Sequence, residues 1–143
     1  MRRTLIGIAA IALALAPAAM SRGSAAPTLT AKSSSYGRVL FDGRGHVLYA
    51  FTRDAKGRSA CYGTCAKRWP VYFAKGGVTA GTGVKRTLLG TTKRRDGRRQ
   101  VTYAGRPLYY YIGDTSPRQI LCQNVSEYGG LWLVVRGDGT LVR

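Results

Sequence analysis

Arg44-Gly-His-Val-Leu-Tyr49-Ala-Phe51-Thr-Arg-Asp54 and, 60 residues further on, Ala104-Gly-Arg-Pro-Leu-Tyr109-Tyr-Tyr111-Ile-Gly-Asp114 are two copies of one pattern. Each leaves a turn, alternates through aromatic residues and stops at an aspartate. Side chains alternate in an extended chain, so Tyr49 and Phe51 share one face, Tyr109 and Tyr111 share the corresponding face, and Leu48 and Leu108 point the other way. The echo continues loosely downstream, where Asp54 is followed by Cys61 and Trp69 and Asp114 by Cys122 and Trp132. Two copies fit a small duplicated β fold with a shared core better than a solenoid, which needs three or more stacked units.

Outward from these copies, short β-branched and aromatic runs alternate with turn signals and helical periodicity is absent. The runs are Val39 to Phe41, His46 to Thr52, Thr87 to Thr92, Gln100 to Tyr103, Leu108 to Ile112 and Leu131 to Arg136. Between them lie Asp42-Gly43-Arg44-Gly45, Asp96-Gly97, Ala104-Gly105-Arg106-Pro107 and Gly137-Asp138-Gly139-Thr140. An Asp-Gly pair between extended runs predicts a two-residue hairpin with both turn positions at positive φ. The expected fold is all-β, a small antiparallel meander or sandwich-like domain over residues 37–143, built from units at about 37–75 and 98–136. The small and polar residues 27–36 are expected to form a flexible leader.

Of 143 residues, 23 are Lys or Arg and 6 are Asp or Glu. Met1-Arg2-Arg3, the apolar Leu5 to Leu15 and the small residues Ala14 to Ala26 read as an export signal over residues 1–26, with an apolar stretch too short to span a bilayer. Arg2-Arg3 faintly resembles a twin-arginine signal, but the general secretory route is the expectation. Without Arg2, Arg3 and Arg22 the remainder holds 20 basic against 6 acidic residues, a charge of +14. That excess favours polyanionic neighbours. One His, three Cys and six carboxylates are a thin supply for hydrolytic chemistry.

The two copies resemble the Tyr-x-(Phe/Trp/Tyr)-x-x-Asp repeat of a bacterial secreted-repeat family, also described as predicted lipoproteins. Cys61-Tyr-Gly-Thr-Cys65-Ala-Lys-Arg-Trp69-Pro70 is similar to that family's Cys-x-Gly-x-Cys-Ala-x-x-Trp-Pro segment, and Tyr128-Gly-Gly-Leu-Trp132 to its closing Gly-Gly-x-Trp. The resemblance covers about residues 37–136, and the biochemical function of the family it points to is not established. Many members resemble lipoproteins, whereas no Cys precedes Cys61 here, so the expectation is a secreted or cell-surface protein without a lipid anchor.

Two readings attach to Tyr49, Phe51, Asp54, Tyr109, Tyr111 and Asp114. Aromatics at period two are ordinary sheet core, and a carboxylate at a strand end can accept turn N–H bonds. A binding surface is the other reading, and it needs those groups at the surface. Export makes a disulfide the default for Cys61 and Cys65; pairing of either with Cys122 would instead tie the units together. Local spacing favours Cys61 with Cys65. Lys93-Arg94-Arg95-Asp96-Gly97-Arg98-Arg99 forms a cationic finger on an expected hairpin, and Lys93, Arg94, Arg95, Arg98 and Arg99 are the candidate polyanion ligands. The charge run is otherwise a solvated edge that discourages aggregation. No cofactor or metal is expected. The expected partner is an anionic cell-wall polymer or membrane surface, without specific nucleic-acid recognition and without a transmembrane segment after signal removal. The reading is a non-enzymatic binding or structural module; a redox or metal-handling protein using the Cys, Tyr and Asp residues is the alternative.

Overall fold

A computed structural model describes residues 28–143, and the expected export signal lies outside them. Among the described residues all pairings between strands are antiparallel, and one isolated parallel bridge joins Leu29 to Ala80. Strand β1 (Leu29–Ser34) pairs with β2 (Gly37–Asp42), and β4 (Leu89–Lys93) pairs with β5 (Arg99–Tyr103), which continues to β6 (Arg106–Pro107). Strand β3 (Tyr49–Phe51) pairs with β8 (Gly130–Val134), whose other neighbour is β7 (Val125–Glu127). No helix among the described residues is long and apolar enough to cross a membrane.

The duplication is visible in these pairings. Hairpin β1–β2 corresponds to β4–β5 at the repeat offset, and each is followed by one motif copy: Leu48 donates its N–H to Leu40, and Leu108 donates its own to Val101. The two copies then meet. Tyr49 and Tyr109 exchange backbone bonds of 2.9 Å in both directions, in an antiparallel bridge between the units. On the outer side of the second copy, Val71 bridges Tyr109 as Val134 pairs with Tyr49 on the outer side of the first. An approximate two-fold axis therefore runs between Tyr49 and Tyr109.

The period-two pattern divides the interior as the sequence requires. Tyr49, Phe51 and Tyr109 enter one core with Trp69 and Trp132, while Leu48, Ala50 and Leu108 enter a second with Leu29, Leu40 and Val101. In the first core the indoles of Trp69 and Trp132 stack at 4.0 Å between centroids across the axis. Phe51 stacks on Trp132 at 4.2 Å, Tyr111 leans on Trp69 at 5.0 Å, and Tyr49 and Tyr109 meet Trp69 and Trp132 edge-on at 5.2 Å each. Stacked and edge-to-face rings add to the gain from burial alone, so this column is the main staple between the units.

Four local expectations are corrected. The flexible leader is a strand: Leu29 and Ala31 are buried, and Thr28 and Ala31 bond to Thr79 and Thr82, so order begins before residue 37. The Asp-Gly pairs do not form two-residue turns. Across 42–46, 94–98 and 136–140 the first residue's N–H bonds the fifth residue's carbonyl, and the fourth residue's N–H bonds the first residue's carbonyl. In these three-residue turns only Gly45, Gly97 and Gly139 take positive φ. Two-residue turns with both residues at positive φ are formed instead by Ala104-Gly105 and Tyr128-Gly129. The run Leu108 to Ile112 is not one continuous strand, since its partners change from residue to residue. Finally, a short helix, α1 (Thr64–Arg68), fills the Cys61-to-Trp69 loop; it is too brief to show helical periodicity.

Candidate functional site

The motif residues make a reciprocal exchange. The Tyr49 hydroxyl donates to Asp114 Oδ2 at 2.6 Å, and the Tyr109 hydroxyl donates to Asp54 Oδ2 at 2.7 Å. Each aspartate thus serves the other unit's tyrosine. Its second oxygen closes its own loop: Asp54 Oδ1 accepts the Ala60 N–H at 2.7 Å, and Asp114 Oδ1 accepts the Leu121 N–H at 2.9 Å. Tyr49, Phe51, Tyr109 and Asp114 are buried, and Asp54 and Tyr111 are half-buried. The motif is therefore inside the molecule rather than on a binding surface.

Burial pushes the Asp54 carboxyl up to about 6, against the opposing pull of the Ala60 N–H, the Tyr109 hydroxyl and the Arg94 charge. Asp114 is also raised by burial, with the Tyr49 hydroxyl and Leu121 N–H acting the other way. Burial and the nearby carboxylates hold both tyrosine hydroxyls well above the usual phenol range, which keeps them as donors.

Around Asp54 the two units differ. The Tyr109 oxygen also meets Ser59 Oγ at 2.7 Å, and Ser59 Oγ accepts the Cys61 N–H and the Arg94 Nη1. Arg94 is only 5% exposed. It donates to Ser59 Oγ and Gln100 Oε1 at 2.7 Å each and to the Cys61 carbonyl at 2.6 Å. Arg94 is thereby corrected from a solvent-facing ligand of the cationic finger to a buried brace that ties β4 to the Cys61 loop. A buried guanidinium with several acceptors is a structural commitment, because its removal strands those acceptors.

Outside this brace lies a basic cleft of about 610 Å³, lined by Arg58, Ser59, Tyr62, Lys93, Arg94 and Arg95 together with Ala60. The Arg94 and Arg95 guanidinium carbons lie 4.1 and 3.8 Å from the Tyr62 ring centroid. No carboxylate lines the cleft. Cation–π contact holds Arg95 in place at little cost to its charge, so the cleft presents fixed positive groups. Three segments build it: the end of β4 with the start of the turn that follows, residues Arg58 to Ala60, and Tyr62 in the loop closed by the Cys61–Cys65 disulfide, whose Cα atoms are 5.3 Å apart.

Lys93 and Arg95 face this cleft, whereas Arg98 and Arg99 do not. Arg98 pairs with Asp96 at 2.7 Å and lies 4.0 Å from the Phe73 ring, and Arg99 Nε donates to Thr91. The finger's charges are divided between two sides of the hairpin. Cys122 is a free thiol, half-buried, and burial pushes it up. Its backbone N–H lies 3.5 Å from the Tyr49 hydroxyl, whereas in the first unit the Cys61 N–H reaches the Tyr109 hydroxyl only through Ser59 Oγ. Among the described residues no group of three or more His, Cys, Asp or Glu side chains converges as metal ligands do. Arg58 and Tyr62 were not singled out from the sequence; Tyr62 stands inside the Cys61-to-Cys65 segment, and Arg58 carries no local signal.

Fold and site together define a duplicated antiparallel β domain whose units are locked by Tyr–Asp exchange. A protein-family model described as "Secreted repeat of unknown function" matches residues 30–72 and 90–136, well over half of the sequence. The chain belongs to that family, and the matched segments are the two structural units. No curated protein and no solved structure matches the chain.

Proposed function

We propose that this secreted repeat is a non-enzymatic extracytoplasmic binding module that holds anionic polymers through the cleft between the disulfide loop and the β4–β5 turn. The carrying observation is the Tyr62 ring flanked by Arg94 and Arg95, with Arg58 and Lys93 alongside and no carboxylate in the lining. Phosphate-bearing or similarly charged polymers of a cell wall or an anionic membrane surface fit such a cleft, because each contact releases a condensed counterion. Recognition of this kind is charge-based and salt-sensitive, and it does not read bases. The Tyr–Asp exchange is scaffold in this reading. It fixes the Asp54-to-Cys61 loop, which fixes Ser59 and hence the Arg94 brace at the back of the cleft.

The test is binding of linear polyphosphate by the mature protein and by Arg58→Gln/Arg95→Gln. The expected outcome is an affinity loss of about tenfold or more at low salt, with a shallower salt dependence. A control pair, Lys32→Gln/Arg143→Gln, removes the same charge outside the cleft and should change affinity far less. Equal effects from the two pairs would mean that net charge alone retains the polymer, and the cleft reading would be wrong.

A further inference from the structure

A second recess lies away from this cleft, between the start of β1, the turn after β2 and residues 71–79. It encloses about 560 Å³, and its walls are Val71, Tyr72, Phe73, Val78 and Tyr110. The Tyr72 and Tyr110 rings meet at 5.3 Å and 60°, which gives the recess an aromatic corner. Tyr110 is fixed by its hydroxyl, which donates to Asp42 Oδ2 at 2.8 Å, and Tyr72 by donating to the Thr28 carbonyl at 2.6 Å. A hollow of about 290 Å³ adjoins it, sharing Phe73 and Ala74 and ending at Arg98 and Arg99. Together they form a groove with an aromatic floor, in which one face of Phe73 is covered by the Arg98 guanidinium at 4.0 Å and the rest faces the groove.

The charges around the groove are unequal. Asp42, the only carboxylate in either lining, is buried and already accepts the N–H groups of Arg44 and His46 as well as the Tyr110 hydroxyl. Arg44 and Arg98 are paired with Asp42 and Asp96. Lys75 and Arg99 have no carboxylate partner among the described residues, and they belong to different hollows. An occupant that satisfies this arrangement needs apolar faces of ring size and anionic groups spaced along a chain. A ring-free polyanion would leave the aromatic floor uncovered, and a neutral chain would gain nothing from Lys75 and Arg99. Sugar rings combine an apolar C–H face with polar edges, which is the pattern that aromatic-lined sites with few polar groups select.

We infer that this groove binds an acidic glycan, a chain of sugar rings bearing carboxylates. Rings lie against Tyr72, Phe73 and Tyr110, and carboxylates reach Lys75 and Arg99. This site is independent of the polyanion cleft and does not rest on it.

The probe is the hexamer of galacturonate, titrated into the mature protein, with a neutral β-glucan hexamer as the comparison. The acidic hexamer should bind, and the neutral one at least about tenfold more weakly, with chemical-shift changes centred on Tyr72, Phe73 and Tyr110. Phe73→Leu keeps the apolar volume and loses the ring, so affinity should fall about fivefold or more at every salt concentration. Lys75→Gln/Arg99→Gln should weaken binding at low salt and flatten its salt dependence. Arg58→Gln/Arg95→Gln should leave the affinity read from the shift changes of Tyr72, Phe73 and Tyr110 within about twofold. The inference is overturned if the acidic hexamer does not bind, if the shift changes lie elsewhere, or if Phe73→Leu and Lys75→Gln/Arg99→Gln are both silent. If Arg58→Gln/Arg95→Gln alone removes binding, the glycan sits in the other cleft. The groove assignment then fails while the anion-binding reading stands.

Discussion

At the scale of single residues, each motif aspartate does two jobs with its two oxygens, one within its own loop and one for the other unit's tyrosine. Deletion of either acceptor should cost about 1 to 3 kcal/mol, since it strands a buried hydroxyl and a loop N–H. The exchange makes a sharper claim about pairing. Tyr49→Phe and Asp114→Ala should be strongly non-additive in a thermal-unfolding cycle, whereas Tyr49→Phe and Asp54→Ala should add. Coupling between Tyr49 and Asp54 instead would contradict the cross-unit assignment. Stability should also depend on pH in a defined direction. The folded Asp54 carboxyl titrates near 6, above an unfolded value near 3.8, so the folded state holds that proton more tightly. This contribution to stability is full below the unfolded value and is lost as pH rises through 6. Asp114 adds in the same sense, whereas Asp42, Asp96 and Asp138 are lowered and act below pH 4. Melting temperature should therefore decline from pH 4 to 6.5, and the double variant Asp54→Asn/Asp114→Asn should flatten that decline. A melting profile unchanged by the two substitutions would exclude these carboxyls as its source.

At the scale of elements, the β4–β5 hairpin shows what a charge run hides. Lys93, Arg94, Arg95, Arg98 and Arg99 look alike in sequence, yet Arg94 turns inward to three acceptors while its neighbours stay at the surface. Arg94→Gln should lower stability by about 3 kcal/mol by urea unfolding, because it leaves Gln100 Oε1 without its donor and takes one donor each from Ser59 Oγ and the Cys61 carbonyl. Arg95→Gln should change stability by less than about 0.5 kcal/mol. Equal effects would remove the distinction. The faces of the motif strands were legible because period two is a local property, and Tyr49, Phe51 and Leu48 lie where it puts them. The Cys61–Cys65 pairing was legible from its four-residue spacing. Strand β1 was not: Thr-Ala-Lys-Ser-Ser has a polar outer face and little β-branched character, and its order comes from Leu29 and Ala31 packing against distant residues. The turn geometry was misread for a related reason, since Asp-Gly suits both a two-residue turn and a three-residue turn ending at glycine. Strand register decides between them.

At the scale of the molecule, duplication explains both the symmetry and its failure. The Tyr–Asp exchange, the paired edge-on contacts at 5.2 Å and the stacked Trp69 and Trp132 are shared by the two halves. Cross-unit partners of this kind are separated by 55 to 65 residues and leave no local trace, so the repeat was readable while its interlocking was not. The disulfide and Ser59 belong to the first unit's loop alone, and where Arg94 of the second unit reaches across to brace that loop the basic cleft has formed. In the proposed reading, a symmetric scaffold holds an asymmetric cleft. The most direct test is a chemical-shift titration of the isotopically labelled protein with linear polyphosphate. Binding in the cleft should give changes concentrated at Arg58, Ser59, Tyr62, Lys93 and Arg95, with the hydroxyl and carboxyl signals of Tyr49, Tyr109, Asp54 and Asp114 retaining their pairing. Changes spread evenly over the basic surface, or centred on the motif tyrosines and aspartates, would contradict it.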